Sequence, residues 1–135
     1  MKKVLLIFSV IAMLFSCKKE VTHETISPPE IEGNWRLIEV LADPGDGSGT
    51  FQVVVSNKLM EFNANGTVTC NGNLCDMSIE SVGGTNGTYS TIETAISSPS
   101  CVNTMLDISY QIANSYLIIS YPCFEACQCK FEKLN

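Results

Sequence analysis

Short runs rich in Val, Ile, Thr, Tyr and Phe follow one another from Gly33 onward, and clusters of Gly, Asn, Ser and Pro separate them. This alternation is typical of an all-β domain, and no stretch keeps the spacing of a helix face. The sequence therefore predicts an antiparallel up-and-down meander of about eight strands that closes into a barrel, since closure removes exposed sheet edges; a sandwich is the alternative. The predicted strands cover residues 34–42, 51–55, 58–63, 67–71, 74–80, 88–94, 105–113, 116–122 and 128–134.

The segment from Lys58 to Cys70 predicts a β-hairpin whose register can be worked out. If residues 64–66 form a three-residue loop with Gly66 in the left-handed region, Phe62 lies opposite Val68 and Met60 lies opposite Cys70. A two-residue turn would place Phe62 opposite a threonine instead. The longer loop is favoured because it pairs apolar side chains on one face.

A second hairpin is predicted around the turn Asn114-Ser115. This turn sets Ile112 opposite Leu117 and Tyr110 opposite Ile119, so that one face of the pair is apolar or aromatic. The polar residues of the same strands fall on the other face, as expected of a sheet with one solvent-exposed face.

The same alternation, extended through a turn at residues 124–126, sets Tyr121 opposite Cys129 and Ile119 opposite Phe131. The inward face would then line the barrel. A barrel of about eight strands either packs its interior with side chains or leaves one ligand-sized cavity, and the many large side chains favour packing. The candidate cavity residues are Trp35, Met60, Phe62, Tyr110, Ile112, Leu117, Ile119 and Tyr121.

Residues 1–16 have the layout of an export signal. Lys2 and Lys3 precede an apolar run from Val4 to Phe15. A helix that spans a bilayer needs about 20 apolar residues, so this run predicts a cleaved signal peptide rather than a permanent anchor. The predicted organisation is a signal peptide over 1–16, a flexible, lipid-anchored tether over 17–30 and a β-barrel domain over 31–135.

The segment Leu14-Phe15-Ser16-Cys17 resembles a bacterial lipobox, with an apolar residue three positions before the cysteine and a small residue directly before it. The resemblance implies diacylglycerol on the Cys17 thiol, a fatty acyl chain on the new amino terminus and attachment to a membrane of the bacterial cell envelope. Each buried methylene contributes about 0.8 kcal/mol to such an anchor. In the bacterial sorting pattern that this segment resembles, an aspartate after the cysteine favours inner-membrane retention. Lys18 stands at that position instead, so the resemblance implies the outer membrane. An ordinary signal peptide is the alternative.

The cysteines that follow Cys17 form an even set in a chain predicted to be exported, so up to three disulfides can form. Six cysteines allow about 15 pairings, and the sequence does not choose among them. Cys123 and Cys127 would face each other across a hairpin mouth if residues 124–126 form its turn. The candidate disulfide cysteines are Cys70, Cys75, Cys101, Cys123, Cys127 and Cys129.

Metal binding and catalysis are not predicted. Cys123, Cys127 and Cys129 are spaced like zinc ligands, but structural zinc takes about four nitrogen or sulfur ligands, and the only histidine, His23, lies in the predicted tether. No histidine in the predicted barrel could generate a catalytic thiolate. We therefore expect no catalytic residue, no metal and no cofactor.

The charge balance disfavours nucleic-acid binding. The formal net charge is −6, and it becomes −8 when Lys2 and Lys3 leave with the signal peptide (−6 − 2). A basic surface patch is the usual footprint of a protein that binds nucleic acid.

Gly33-Asn34-Trp35, at the start of the first predicted strand, resembles the G-x-W start of lipocalins and their calycin relatives. Together with the meander and the lipid-anchored leader, this motif is similar to lipocalin-like lipoproteins of bacterial envelopes. The resemblance covers residue 31 to the end. It implies a barrel in which a basic side chain, here Lys133 or Lys130, packs over Trp35 at the closed end, and it implies no specific activity. Similar local stretches are residues 43–51, 62–68 and 121–123 together with Cys127.

The loop from Asp43 to Thr50 has three glycines, one proline and two acids. Three interpretations stay open: a plain connecting turn, a lid over the barrel mouth, and a calcium site built from Asp43, Asp46 and Ser48 oxygens. The spacing of these oxygens departs from that of an EF-hand loop.

The sequence as a whole predicts a non-enzymatic lipoprotein of the cell envelope that holds a small hydrophobic ligand inside its barrel. The alternative is a structural or protein-interaction module with a solid barrel core and no ligand. The sequence identifies neither a ligand nor a protein partner.

Overall fold

The computed structural model describes residues 30–102 and 108–135, and the regular structure within these ranges consists of β-strands. The strands are short and end at glycine, asparagine, serine and proline clusters, as the alternation in the sequence predicts. They are β1 (Gly33–Ala42), β2 (Gln52–Val53), β3 (Leu59–Phe62), β4 (Thr67–Cys70), β5 (Thr85–Ser90), β6 (Ala95–Ser97), β7 (Ile108–Ala113), β8 (Tyr116–Ser120) and β9 (Cys127–Leu134).

The strands form one antiparallel sheet that closes on itself. Their order is β2-β1-β3-β4-β5-β6-β7-β8-β9, and a further ladder joins β1 to β9. β2 and β3 lie end to end along one edge of β1, while the other edge of β1 pairs with β9 from Asn34 to Ala42. The sheet is therefore a closed barrel of eight antiparallel strands with β2 as an extra strand, which confirms the predicted fold class.

Connections alternate between the two ends of the barrel because neighbouring strands are antiparallel. One end, which we call the turn end, carries tight turns between β3 and β4, β5 and β6, and β7 and β8. The opposite end, which we call the loop end, is built from residues 43–51, 71–84, 98–102 and 121–126.

The registers predicted for the first two hairpins are confirmed. Met60 pairs with Cys70 and Phe62 with Val68, and Gly66 has a φ of 81°. A positive φ is what a three-residue loop with a left-handed glycine requires.

In the second hairpin, Tyr110 pairs with Ile119 and Ile112 with Leu117. Asn114 and Ser115 have φ values of 52° and 67°. Two successive positive φ values match the twist of the flanking strands, so this turn holds the predicted pairing.

The register predicted for β8 and β9 is wrong by two residues. Ile119 pairs with Cys129, and Leu117 pairs with Phe131. The connection is two residues longer than predicted: Tyr121 N–H still donates to Cys127 O at 2.9 Å, whereas Cys123 N–H turns back to donate to Tyr121 O at 2.9 Å. Pro122 and Cys123 therefore belong to the connection and not to the strand. A shift of two keeps the alternation, so the inward side chains stay inward.

The strand predicted at residues 74–80 is also wrong, because residues 71–84 form an irregular loop. Side-chain oxygens take the backbone donors that a strand would use: Asn73 Oδ1 accepts from Cys75 N, and Asp76 Oδ1 accepts from Ser78 N. Such local bonds compete with a β-ladder. The strand predicted at 88–94 is instead the end of β5 and a turn that leads into β6, which was not predicted.

Cys17, the predicted signal peptide and most of the predicted tether lie outside the described residues. Within residues 30–102 and 108–135, no helix has the length and apolar character needed to cross a membrane.

Replacing Gly87 with alanine tests how closely β5 and β6 approach. A Cβ atom at Gly87 would overlap the carbonyl oxygen of Ser97 on β6, and glycine inside a strand often marks such an approach. We expect Gly87→Ala to lower the free energy of unfolding by about 1–3 kcal/mol, measured by urea denaturation. Thr88→Ala, at an exposed position of the same strand, is the control. Equal stabilities of the two variants would contradict this account.

Candidate functional site

The interior of the barrel contains the predicted cavity residues. Ile112 is half-buried against the core, and the other seven side chains are buried. Phe62 meets Tyr89 edge to face with ring centroids 5.2 Å apart, and Tyr110 lies 6.4 Å from Phe62. Contacts of this kind are favourable packing geometries for aromatic rings. The structure therefore brings the predicted residues together as a core, while their role in ligand binding stays a prediction.

Trp35 is held at the turn end by two contacts. Its indole Nε1–H donates to Ile31 O at 2.7 Å, and Lys133 Nζ lies 5.2 Å from the centre of its ring. The same Nζ donates to Glu30 O at 2.7 Å. Lys133 is thus the basic side chain over Trp35, whereas Lys130 lies on the outer wall, paired with Glu39 and 4.1 Å from the ring centre of Phe51.

An open depression of about 660 Å³ lies beside the turn between β5 and β6. Tyr110 and Ile112 are the two predicted cavity residues in its lining. Threonine, serine and glutamine side chains make up most of the rest, so the depression is an open surface feature of mixed polar and apolar character. Its other lining residues are Glu30, Ile31, Thr91, Thr94, Ser109, Gln111, Ser120 and Gln128.

The loop end is closed from inside by Lys58. The side chain of this lysine is 0 % exposed, and its ammonium group donates to the carbonyl oxygens of Asp76 at 3.2 Å and Ser78 at 2.8 Å. A buried ammonium is tolerated only when hydrogen bonds replace its water. Lys58 therefore fixes the loop 71–84, which follows β4, to the chain just before β3. Its inward position follows the same alternation as Met60 and Phe62, so the pattern of the strand already indicates it.

The loop over Lys58 is also fixed by packing and by a disulfide. Leu74, within this loop, is fully buried, and the neighbouring Cys75 is bonded to Cys101 with a Cα–Cα distance of 5.1 Å. This bond joins the connection between β4 and β5 to the connection between β6 and β7. The connections at the loop end are consequently joined to one another by a disulfide and by the hydrogen bonds of Lys58.

Two thiols face the barrel interior near the loop end. Cys70 and Cys129 are free and buried, so four of the six candidate cysteines form disulfides and these two do not. Burial raises the pKa of the Cys70 thiol, and it raises the pKa of Cys129 to about 11, although the charge of Lys58 opposes both shifts. A thiol that stays neutral is a poor nucleophile and a poor metal ligand.

Tyr121 adds a polar atom to the same region. Its hydroxyl is buried, has no hydrogen-bond partner within the described residues, and lies beside the Cys129 thiol. Burial and the neighbouring Cys129 raise the pKa of Tyr121 well above its ordinary value. Lys58, Cys70, Tyr121 and Cys129 thus form a buried polar group within an otherwise apolar core.

The Asp43 carboxylate organises the glycine-rich loop after β1. Its oxygens accept the backbone N–H groups of Gly45 at 2.7 Å, Gly47 at 3.0 Å and Gly49 at 2.8 Å. These bonds, with that of Gly45 the largest cause, lower the pKa of Asp43. Carboxylate oxygens that face N–H donors are already satisfied, so this geometry favours a fixed turn over the calcium interpretation.

The three cysteines that are spaced like zinc ligands do not stay together as free thiols. Cys123 and Cys127 form a disulfide with a Cα–Cα distance of 6.0 Å, which confirms the predicted local bridge and removes two of the three thiols. In the described parts of the chain, no three His, Cys, Asp or Glu side chains are grouped so that they could hold a metal ion. His23 lies outside those parts.

Comparison of the chain with protein-family models, with curated proteins and with solved structures found no match. The resemblance to lipocalin-like lipoproteins therefore stays a prediction from the sequence.

Replacing Lys58 with methionine tests its role in closing the loop end. Methionine keeps most of the apolar stem but leaves the Asp76 and Ser78 carbonyls without their donor, and an unpaired buried acceptor costs about 1–3 kcal/mol. We expect Lys58→Met to lower the urea midpoint accordingly. The control is Lys130→Met, which removes a partly exposed ion pair with an expected cost of about 0–1 kcal/mol. A larger loss in the control would contradict the assignment.

The Cys129 thiol predicts how stability depends on alkaline pH. Its pKa rises from an ordinary value of 9.0 to about 11 on folding, so the unfolded chain loses this proton first. The resulting stabilisation is present below about pH 9 and is lost as the pH rises toward 11. We expect the fall in the free energy of unfolding between pH 8 and 11 to be smaller in Cys129→Ala. Tyr116→Phe, at an exposed tyrosine, is the control, and identical slopes in Cys129→Ala and the native protein would contradict the prediction.

Proposed function

We propose that this protein is a non-enzymatic, lipid-anchored protein of the bacterial cell envelope, whose solid barrel acts through contacts at its surface. The deep burial of the inward side chains is the observation that carries this proposal. Trp35, Met60, Phe62, Leu117 and Phe131 are each at most 2 % exposed, and they belong to one continuous core. Side chains packed to native density leave room for few voids larger than a water molecule.

The chemistry of the polar groups supports a role without catalysis. The free thiols are buried and burial raises the pKa of each, and the Lys58 ammonium donates to two backbone carbonyls. Two disulfides and a closed sheet suit an exported scaffold that must stay rigid in an oxidising compartment. Attachment through Cys17 adds the membrane partner expected from the lipobox. The outer membrane is the proposed site of that attachment.

A second candidate function is the binding of a small hydrophobic ligand. The depression of about 660 Å³ favours it, because Tyr110 and Ile112 provide apolar surface there. Ligand pockets are usually more enclosed and more apolar, since they bury most of the surface of their ligand. The function through surface contacts is therefore better supported than ligand binding.

The anchor and the core can be tested on one preparation of the full-length protein made in a bacterial host. We expect the protein to partition into the detergent phase and its amino-terminal peptide to carry diacylglycerol and an acyl chain. Cys17→Ser should move it to the aqueous phase. An unmodified Cys17 peptide would overturn the anchor.

Native mass spectrometry of the soluble Cys17→Ser variant separates the two functions. The solid module predicts the mass of the bare chain and an empty organic extract. A bound lipid-like molecule, displaced when Ile112→Trp fills the depression, would favour ligand binding instead. Ile118→Trp, on the outward-facing side of β8, is the matched control.

A further inference from the structure

The Cys123–Cys127 disulfide closes a five-residue loop that presents Phe124 to solvent. The Phe124 side chain is fully exposed, whereas the other aromatic residue of this region, Tyr121, is buried. The loop is held at both ends, because Tyr121 N–H donates to Cys127 O at 2.9 Å and Asp43 N–H donates to Ala126 O at 2.9 Å. A fully exposed phenylalanine adds nothing to the core of the domain, yet this one sits on covalently constrained backbone.

One acidic side chain is adjacent to this aromatic tip in the chain, and a second lies on the loop that it contacts. Glu125 follows Phe124 directly and lies against Gly45, where an added Cβ would be 3.4 Å from Glu125 Oε1. Asp46 is exposed on the same glycine-rich loop. The basic side chains of the described residues are engaged elsewhere: Arg36 and Lys130 are ion-paired, Lys58 is buried, and Lys133 lies at the turn end. The tip is therefore apolar with a negative rim.

The position of the tip suits contact with a molecule away from the anchor. The described chain starts at Glu30, at the turn end, whereas Phe124 belongs to the loop end. β1 runs from the turn end at Gly33 to the loop end at Ala42. Because a strand rises about 3.3 Å per residue, the two ends lie a full strand length apart. If the tether leads from the turn end to a lipid-modified Cys17, the loop end points away from that attachment.

We propose that Phe124 is the anchor residue of a docking surface for another protein, and that it inserts into an apolar pocket whose rim carries lysine or arginine side chains near Glu125 and Asp46. This inference deepens the proposed function and rests on it. Rigid aromatic side chains are the typical anchors of protein interfaces, because little conformational freedom is lost when they bind. The negative rim steers a basic partner and opposes both an anionic bilayer and the same face of a second copy.

Photo-crosslinking on the full-length protein in living cells tests the proposal. The photoreactive residue p-benzoylphenylalanine replaces Phe124, and in separate strains it replaces Ile92, an exposed apolar residue of the turn end, or Tyr116, at the start of β8. We expect one predominant protein adduct from position 124, in at least about tenfold excess over position 92. Mass spectrometry should place the bond in an apolar segment of the partner beside lysine or arginine.

Two further variants test the two parts of the surface. Glu125→Lys should lower the adduct yield at position 124 at least about fivefold, because it reverses the charge of the rim. Cys123→Ser with Cys127→Ser should lower it as well, since the opened loop no longer holds the aromatic side chain in place. The Cys75–Cys101 disulfide and the melting temperature are measured in each variant, so that a loss of folding is recognised.

The outcomes separate the docking surface from the proposed function. A yield at position 124 no higher than at position 92, an adduct with lipid, or an adduct that Glu125→Lys leaves unchanged would overturn the docking surface. Protein adducts from position 116 or 92 but not from 124 would leave the surface-contact function standing with a different surface. Absence of protein adducts at all three positions would count against both.

Discussion

The hydrogen-bonded ladder between β1 and β9 is the contact on which the rest of the structure depends. It joins the first and last strands, which are far apart in the chain, and so turns a curved sheet into a barrel without free edges. Trp35 and Leu37 from β1 and Phe131 from β9 enter the core along this ladder. A bulge between Leu37 and Glu39 then turns Glu39 outward, where it pairs with Lys130.

The two ends of the barrel are stabilised in different ways. At the turn end, short turns keep the strands paired, and Lys133 lies over Trp35. At the loop end, long connections contribute few ladder bonds, so a disulfide, the buried Lys58 and the N–H groups that surround Asp43 replace them. The loop end therefore has a fixed backbone and freely exposed side chains such as Phe124, which is the combination that a contact surface needs.

Sequence reasoning succeeded where a single local rule acts alone. Gly66 and the pair Asn114-Ser115 set two hairpin registers through turn geometry, and the alternation of apolar residues identified the inward face. It failed where side chains compete for the backbone, as at Asp76 in the loop 71–84, and where Pro122 and Cys123 belong to the connection after β8. The inward alternation that selected Met60 and Phe62 applied to Lys58 as well, so this part of the site could have been predicted.

By itself, the sequence determined the alternation of strands and turns and the inward face, and it raised a local Cys123–Cys127 bridge and lipid attachment at Cys17 as expectations. Each of these depends on residues close together in the chain. Only the tertiary structure decided that Cys75 bonds Cys101, that Cys70 and Cys129 stay free, and that Lys58 closes the loop end. These outcomes depend on which distant segments the closed barrel brings together. Contacts between segments that are far apart in the chain are not encoded by local spacing.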